Sequence, residues 1–166
     1  MDFSIKLAGE ADIHDVRKIR SRALAEEPIS FAKSLDEYQN YSTNSIRDIL
    51  INSQNSSFTF LAYSKSIPVG IVGYHINIQR SKIRHCAELN SFFVIESLRC
   101  RGIGSLLLKT LLQHARNMPK IKSIVLGVNT NNIPAISLYK RHGFKSWGIE
   151  PDALYAIETY YSLEHM

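Results

Sequence analysis

A glycine-containing turn between an apolar strand and an apolar helix is the part of this 166-residue sequence best suited to bind a ligand. The turn runs from Arg99 to Ser105, and its glycines are Gly102 and Gly104. A helix start leaves four backbone N–H groups without partners and carries the positive end of the helix dipole. Glycines allow a ligand to approach those groups closely, and Arg99 and Arg101 add positive charge. The pattern fits a phosphate-binding turn and, equally well, a tight turn that only caps a core helix.

A second candidate segment lies further along the chain and contains an asparagine and a tyrosine in a predicted short helix. Asn132 is expected to be the N-cap of this helix, with Pro134 in its first turn. Gly143 is placed to end the helix in a left-handed conformation. From the sequence pattern alone, the simplest interpretation of Tyr139 is an aromatic residue of the core. The simplest interpretation of Asn132 is the N-cap of the helix.

Taken together, the two segments resemble the signature of the GNAT superfamily of N-acetyltransferases. The first has an arginine and a Gly-x-Gly pair after an apolar strand, without the third glycine of dinucleotide motifs or the Gly-Lys-Ser/Thr of a P-loop. The second follows about thirty residues later and has an asparagine, an alanine, a tyrosine and a Gly-Phe pair in the family's order. The matching residues are Arg99, Gly102, Gly104, Asn132, Ala135, Tyr139, Gly143 and Phe144.

The resemblance implies both a fold and a reaction. The implied fold is one α/β (α+β) domain over residues 1–166, with a mixed, mostly antiparallel sheet of about seven strands and about four flanking helices. The sheet is expected to splay between its fourth and fifth strands. The implied reaction is the direct transfer of an acetyl group from acetyl-CoA to a primary amine, without a metal.

The resemblance also assigns residues to the cofactor. The pantetheine arm is expected to lie along the backbone of Phe92, Phe93 and Val94, as an added strand would. The diphosphate is expected at Cys100, Arg101, Gly102, Ile103, Gly104 and Ser105, where Cys100 and Ile103 would act through their backbone N–H groups. Arg99, Asn132 and Tyr139 complete the predicted cofactor-binding set.

Two side chains are candidates for proton transfer. Tyr139 is expected to protonate the CoA thiolate, because a phenol with a pKa of ~10 keeps its proton near neutral pH. Glu88 is the candidate base that accepts the amine proton through water, and a solvated strand end is an equally good interpretation of it. Other family members use a glutamate five residues before the motif asparagine, a position that Gly127 occupies here.

The composition argues against several other classes of protein and of binding site. The net charge of +5 comes from scattered lysines and arginines, which argues against a dedicated nucleic-acid-binding protein and suits a polyphosphate ligand. Cys86 and Cys100 form neither a disulfide framework nor a metal-binding spacing with the histidines. No apolar run is long enough to cross a bilayer, so we expect a cytoplasmic protein with no membrane partner.

Periodicity predicts the remaining elements. Three helices are expected, at 11–25 with Asp12 as N-cap, at 45–52, and from residue 106 onward. The central strand is expected at 89–95. The other predicted strands cover 3–7, 58–63, 69–78, 121–128, 144–149 with a continuation at 153–157, and 160–166.

The acceptor and the assembly stay open at this stage. A peptide N-terminus, a lysine side chain, a polyamine and an antibiotic amine are all compatible with the sequence. The loops 26–44 and 79–84 are expected to select the acceptor, and Glu27, Asp36 and Glu37 could attract a cationic amine. An acyl-CoA-sensing domain without turnover is the alternative function, and a homodimer is a further possibility.

Overall fold

The computed structural model describes residues 3–50 and 56–166. Within these ranges the chain forms eight strands and five α-helices, together with three short 3-10 turns. In chain order the elements are β1 (Phe3–Leu7), α1 (Ile13–Glu26), α2 (Leu35–Gln39), α3 (Thr43–Leu50), β2 (Ser57–Ser64), β3 (Ile67–Ile76), β4 (Cys86–Val94), α4 (Ile103–Arg116), β5 (Ser123–Val125), β6 (Gly127–Asn129), α5 (Ile133–Arg141), β7 (Gly148–Ala156) and β8 (Thr159–His165). The 3-10 turns are Glu10–Asp12, Pro28–Ser30 and Glu96–Leu98.

The strands form two sheets, which confirms the predicted mixed α/β class. The first sheet has the order β1-β2-β3-β4-β5, antiparallel up to β4 and parallel between β4 and β5. The parallel pair is connected through α4, since parallel neighbours require a crossover. The second sheet is antiparallel, with the order β6-β8-β7.

The predicted strand at 121–128 is divided at Leu126, and this division separates the two sheets. The N–H and C=O groups of Leu126 both bond to Met166, each at 2.9 Å. The chain therefore changes partners here, from β4 on one side of Leu126 to β8 on the other. Counted as halves of one strand, β5 and β6 give the expected total of about seven.

The core lies between the first sheet and the helices packed on it. Helix α4 packs against β1 to β4, and α1 packs against β3 and β4. Large side chains that are almost completely buried come from both strands and helices, as expected for one continuous core. They are Ile19, Leu61, Ile71, Val72, Tyr74, Ile103, Leu107, Leu108 and Leu111.

Two predicted boundaries differ from the structure. The strand expected at 144–149 begins only at Gly148, and Phe144 instead completes the end of α5 through a hydrogen bond from its N–H to the Tyr139 carbonyl. The helix expected at 45–52 is observed at Thr43–Leu50, and positions 51 and 52 lie outside the described residues. Asp12 occupies the N-cap position of α1, but its side chain makes no capping bond to that helix.

Candidate active site

The predicted splay lies between β4 and β5. Their parallel pairing covers only three residue pairs and ends at Glu88 and Val125. Beyond this point β5 gives way to β6, which pairs with β8 instead. The β4 edge from Leu89 to Val94 therefore has no strand partner on this side within the described residues. An extended ligand can add to such an edge through main-chain hydrogen bonds.

A β-bulge distorts β4 within the cleft. Asn90 pairs with Gly73 and Phe93 pairs with Ile71, so Ser91 and Phe92 together stand opposite a single residue of β3. Ser91 has a φ of +59°, in the left-handed region. A bulge of this kind turns backbone groups out of the regular ladder, and bulges are frequent beside active sites.

The glycine turn opens α4 as predicted, and the structure gives its two glycines different roles. Gly102 is the N-cap with a φ of +84°, and a Cβ placed on it would meet nothing within 4 Å. A Cβ on Gly104 would instead lie 3.2 Å from the ring of Phe92 and 3.4 Å from Leu138. Gly102 therefore leaves open space at the helix start, whereas Gly104 permits close packing of α4. This packing role of Gly104 adds to the predicted contact of its N–H group with the diphosphate, which stays a prediction.

The start of α4 fits an anionic ligand. The first helical hydrogen bond runs from Leu106 N–H to the Gly102 carbonyl at 2.9 Å, and no side chain of the described residues caps this end. The N–H groups of Ile103, Gly104 and Ser105 are those that an α-helix leaves without intrahelical acceptors. Cys100 is exposed and has a φ of +60°. The Ser105 hydroxyl is 2.7 Å from Nε2 of His142.

Arg99 is held in place by two other parts of the protein. Its Nε donates to the Val94 carbonyl at 3.0 Å, and its Nη2 is 2.7 Å from the Glu27 carboxylate. Glu27 follows the last residue of α1, so this ion pair joins the glycine turn to the segment after that helix. The expectation that Glu27 attracts a cationic amine does not fit this pairing, because its carboxylate already has a cation.

Tyr139 is buried and faces the β4 bulge. Its ring centroid lies 5.7 Å from that of Phe92 and 5.7 Å from that of Phe144. The end of α5 fixes this arrangement, because Phe144 N–H bonds to the Tyr139 carbonyl and Gly143 N–H to the Lys140 carbonyl. This is the Schellman pattern with its usual hydrophobic contact, and Gly143 has the required positive φ of +92°. Burial raises the pKa of the Tyr139 phenol above its ordinary value.

Asn132 caps α5, as its type and position predicted. Its Oδ1 accepts a hydrogen bond of 3.2 Å from Ala135 N–H. This bond fixes the start of the helix that carries Tyr139. Asn132 thus has a positioning role that is independent of any ligand.

Glu88 lies at the point where β4 and β5 separate. It is the last residue of β4 to pair with β5, and 63% of its side chain is exposed. Its carboxylate is 4.0 Å from Nδ1 of His75 on β3. The position of the alternative glutamate, Gly127, faces β8, where a Cβ would lie 3.3 Å from Leu163. The structure therefore offers a carboxylate at the apex of the cleft through Glu88.

Asn129 is a buried polar residue of the site region that the sequence analysis did not single out. Its Nδ2 donates to the Ile29 carbonyl at 3.1 Å, and its Oδ1 accepts from Asn131 N–H at 2.9 Å. The Pro28–Ser30 turn is thus attached to β6, while Glu27 just before it is attached to the glycine turn. The only sequence signal is an asparagine at the end of a nearly continuous apolar run.

Other features lie away from this region. A cavity of about 400 Å³ is lined by Ile76, Met118, Pro119 and Ile121 among others, near the start of β4 rather than the glycine turn.

No helix in the described ranges is long and apolar enough to cross a membrane. No group of three potential metal ligands converges among residues 3–50 and 56–166.

Comparison with known proteins identifies the family. A family model described as the acetyltransferase (GNAT) family matches residues 16–144. The spermine/spermidine N(1)-acetyltransferase of Bacillus subtilis is 44% identical over 57 residues, which cover 34% of this chain and 38% of that protein. The chain therefore spans well under two thirds of the length of this curated relative.

Solved structures extend the similarity over the whole chain. An acetyltransferase of the GNAT family from Streptococcus pneumoniae has a TM-score of 0.86 and 25% identity, covering 99% of this chain and 96% of that one. A protein of Salmonella typhimurium, solved with its cofactor acetyl-CoA, has a TM-score of 0.85 at 17% identity and covers 99% and 92%. The second likeness concerns the fold alone.

Proposed function

The chain belongs to the GNAT family of acetyltransferases, and we propose that it transfers an acetyl group from acetyl-CoA to a primary amine by direct attack, with both substrates bound together. The placement of Phe92 supports this most strongly. Its ring lies against Tyr139 and 3.2 Å from the Cβ position of Gly104. The candidate acid, the β4 bulge and the start of α4 are therefore contiguous.

The residues of the cleft fit an acyl-CoA molecule. The free N–H groups at the start of α4, with Cys100 and Arg101 before them, bind the diphosphate. The unpaired edge of β4 at Phe92 and Phe93 binds the pantetheine amides. Val94, whose carbonyl accepts a hydrogen bond from Arg99, completes this edge. When bound, acetyl-CoA supplies an activated acyl group and a thiolate leaving group.

Tyr139 acts as the general acid in this proposal. Its phenol donates a proton to the thiolate as the carbon–sulfur bond breaks. Burial raises its pKa, which keeps the phenol protonated until the leaving group develops charge. Backbone N–H groups beside the Ser91 bulge stabilise the charge that develops on the thioester oxygen.

Glu88 acts as the general base through a water molecule. A primary amine with a pKa near ~10.4 is mostly protonated at neutral pH and must lose a proton before it can attack. The exposed carboxylate at the apex of the cleft is accessible to water that can carry this proton. The role rests on position, because Glu88 is the last residue of β4 to pair with β5.

The acceptor does not follow from the relatives. The Bacillus subtilis protein is named for spermine and spermidine, but its similarity covers only 34% of this chain. A cytoplasmic location, a homodimer and the absence of a nucleic-acid partner remain predictions from the sequence.

A thiol-release assay tests the proposed function. The protein is incubated with acetyl-CoA alone and with acetyl-CoA plus a panel of amines, and free CoA is measured over time. Steady release that requires an amine, with stoichiometric acetylated product, is the expected result. Binding of acetyl-CoA without amine-dependent release would instead identify an acyl-CoA-sensing domain.

A further inference from the structure

The excess positive charge of the chain lies in two loops, which we call the basic loops. The first connects β3 to β4 and covers residues 77–85, and the second connects α4 to β5 and covers residues 117–122. Together they contain five of the 20 lysines and arginines and none of the 15 aspartates and glutamates. The other 15 cations equal the carboxylates in number, so the net charge of +5 belongs to the basic loops. The five cations are Arg80, Lys82, Arg84, Lys120 and Lys122.

Backbone hydrogen bonds join the basic loops at the start of β4. The N–H group of Lys122 donates to the His85 carbonyl at 2.8 Å, and the N–H group of Ser123 donates to the same carbonyl at 3.3 Å. A tight turn shapes the second loop, because Ile121 N–H donates to the Met118 carbonyl at 3.0 Å. The cations that are scattered in the sequence are therefore gathered on one surface by the fold.

A cavity of about 400 Å³ lies between the basic loops. Five of its seven described lining residues are apolar, and the other two are Arg84 and Lys120, one from each loop. Both of these residues are exposed, so a ligand can reach their charges from solvent. Small-molecule pockets typically have volumes of ~300–1,000 Å³ and are mostly apolar, with a few polar groups that orient the ligand. The apolar lining residues are Ile76, Ile78, Met118, Pro119 and Ile121.

The protein leaves the charges at this cavity without a counter-charge. None of the five loop cations forms an ion pair with a carboxylate of residues 3–50 or 56–166. Like charges on adjoining loops repel one another, so this surface favours an anion. Ile78 and Ile83 add apolar surface beside the charges, since 42% and 44% of these residues are exposed. A negative group attached to an apolar chain matches both features.

The cavity lies far from the cleft to which acetyl-CoA is assigned. It adjoins the start of β4, whereas the glycine turn follows the end of that strand. The nine residues of β4 span roughly 26 Å at about 3.3 Å per residue. A ligand in the cavity and a CoA molecule in the cleft can therefore be bound at the same time.

We propose that this cavity is a second ligand-binding site, and that its ligand is a small organic carboxylate with an apolar chain, as in a medium-chain fatty acid. Arg84 offers paired N–H donors that match a carboxylate, and Lys120 adds a second positive charge. The chain of the ligand enters the cavity and displaces water from its apolar walls. A nucleic acid or an anionic membrane would contact the loop charges but would not fill the cavity. The inference does not depend on the proposed acetyltransferase function.

Methionine methyl signals test this site in the wild-type protein. Met118 lines the cavity, whereas Met166 is buried and bonded to Leu126. The protein carries isotope-labelled methionine methyl groups and is titrated with octanoate, octanol and acetate, and the Met118 signal is assigned with Met118→Leu. We expect octanoate to shift the Met118 signal saturably and to leave the Met166 signal in place. Its dissociation constant should be about tenfold or more below those of octanol and acetate. An unchanged Met118 signal overturns the inference.

Variants of the basic loops separate the cavity from the rest of the charged surface. Arg84→Gln combined with Lys120→Gln should raise the dissociation constant of octanoate about tenfold. Lys82→Gln combined with Lys122→Gln is the matched control, because it removes the same charge from the same loops outside the cavity lining. We expect the control to raise that constant less than about twofold. Thermal unfolding checks that each variant is folded. Equal effects of the two double changes would indicate unspecific attraction to the charged surface and overturn the inference.

Competition and alternative ligands complete the test. The titration is repeated with saturating CoA, and we expect the same dissociation constant for octanoate. Displacement of octanoate by CoA would place it in the cofactor cleft and overturn the inference. A short DNA duplex and phosphatidylglycerol vesicles are tested with the same variants. If either binds through the basic loops while octanoate does not, the loops serve a macromolecular partner and the inference is wrong, with the acetyltransferase proposal unaffected.

Discussion

The side-chain amide of Asn129 donates a hydrogen bond of 3.1 Å to the carbonyl of Ile29, one hundred residues earlier in the chain. Asn129 is only 3% exposed, and its Oδ1 is also bonded, to Asn131 N–H. The bond attaches the segment after α1 to β6, the strand that pairs with β8 instead of β4. One buried amide thus fixes the position of the Pro28–Ser30 turn relative to the second sheet.

The first prediction concerns this attachment. Asn129→Asp keeps an oxygen for Asn131 N–H but cannot donate to Ile29, so the Pro28–Ser30 turn loses its anchor. We expect KM for the amine to rise and the dissociation constant of CoA to stay nearly constant. The free energy of unfolding should fall by about 1–3 kcal/mol, because a buried group loses its partner. Asn131→Asp is the control, and equal effects of the two changes on the amine KM would contradict the positioning role.

The second prediction concerns the proton donor. Tyr139→Phe removes the hydroxyl but keeps the ring contacts with Phe92 and Phe144, so CoA should still bind. We expect kcat to fall about 100-fold or more, the usual size of a lost general acid. Because burial raises the phenol pKa, the wild-type kcat should show no decline from Tyr139 ionisation between about pH 7 and pH 9.

Tyr74→Phe is the matched control for that experiment. It removes another buried hydroxyl, one that lies 2.8 Å from Nδ1 of His114 on α4. The free energy of unfolding should fall by about 1 kcal/mol with kcat unchanged. Full activity in Tyr139→Phe would remove the tyrosine from the mechanism.

The third prediction concerns the base. Glu88→Gln should lower kcat/KM at neutral pH by about 100-fold, and the loss should shrink at high pH, where the amine is already deprotonated. Glu158→Gln, at an exposed turn, should leave the rate unchanged. A deficit that is the same at every pH would show that Glu88 acts in some way other than as a base.

The fourth prediction compares two glycines at helix ends. Gly102 and Gly143 both have positive φ values, of +84° and +92°, and open space at their Cβ positions. Aspartate tolerates this conformation better than most residues, so both Gly→Asp changes should fold. At Gly102 the new carboxylate lies by the positive end of the α4 dipole and repels a diphosphate.

We therefore expect Gly102→Asp to raise the dissociation constant of CoA about tenfold or more, and to lower the melting temperature less than Gly143→Asp does. Gly143→Asp lies at the negative end of α5, so it should lower the melting temperature and leave CoA affinity nearly unchanged. Calorimetry and thermal unfolding measure the two effects. Unchanged CoA affinity in Gly102→Asp would mean that the diphosphate binds elsewhere.

The fifth prediction concerns Asp12, a buried carboxylate remote from the cleft. Burial alone would raise its pKa, but hydrogen bonds from Lys6 and Gly9 N–H, the charge of Lys6 and a hydrogen bond from Tyr63 together lower it. A lowered folded-state pKa stabilises the protein above the unfolded value of ~3.9. This contribution is lost as the pH falls through the folded-state pKa.

Asp12→Asn should therefore lower the free energy of unfolding at pH 7 by about 1–3 kcal/mol. The difference from wild type should shrink below about pH 4, as the Asp12 carboxyl becomes protonated first in the unfolded chain and then, at lower pH, in the folded protein. Urea unfolding over a pH series measures this, with exposed Asp152→Asn as the control. A difference that is independent of pH would show that packing, and not charge, accounts for the effect.

Local sequence determined the order of the elements and the two motif segments. Gly102 begins α4, Asn132 caps α5 and Gly143 ends it, as predicted. These features were predictable because each depends on residues within about one helical turn, where propensity and capping decide the conformation. Tyr139 and Glu88 were named as candidate site residues from the resemblance to the family, and their roles stay predictions.

Tertiary structure decided which partners these residues meet. Arg99 pairs with Glu27, Asn129 holds Ile29 and Gly104 receives the ring of Phe92, and none of these contacts is local in sequence. The strand predicted at 121–128 divides at Leu126 because Met166 pairs with it from the far end of the chain. The same packing leaves Nη1 of Arg20 buried without a hydrogen-bond partner among residues 3–50 and 56–166. Contacts between distant segments depend on how the whole chain packs, so the pattern of neighbouring residues does not encode them.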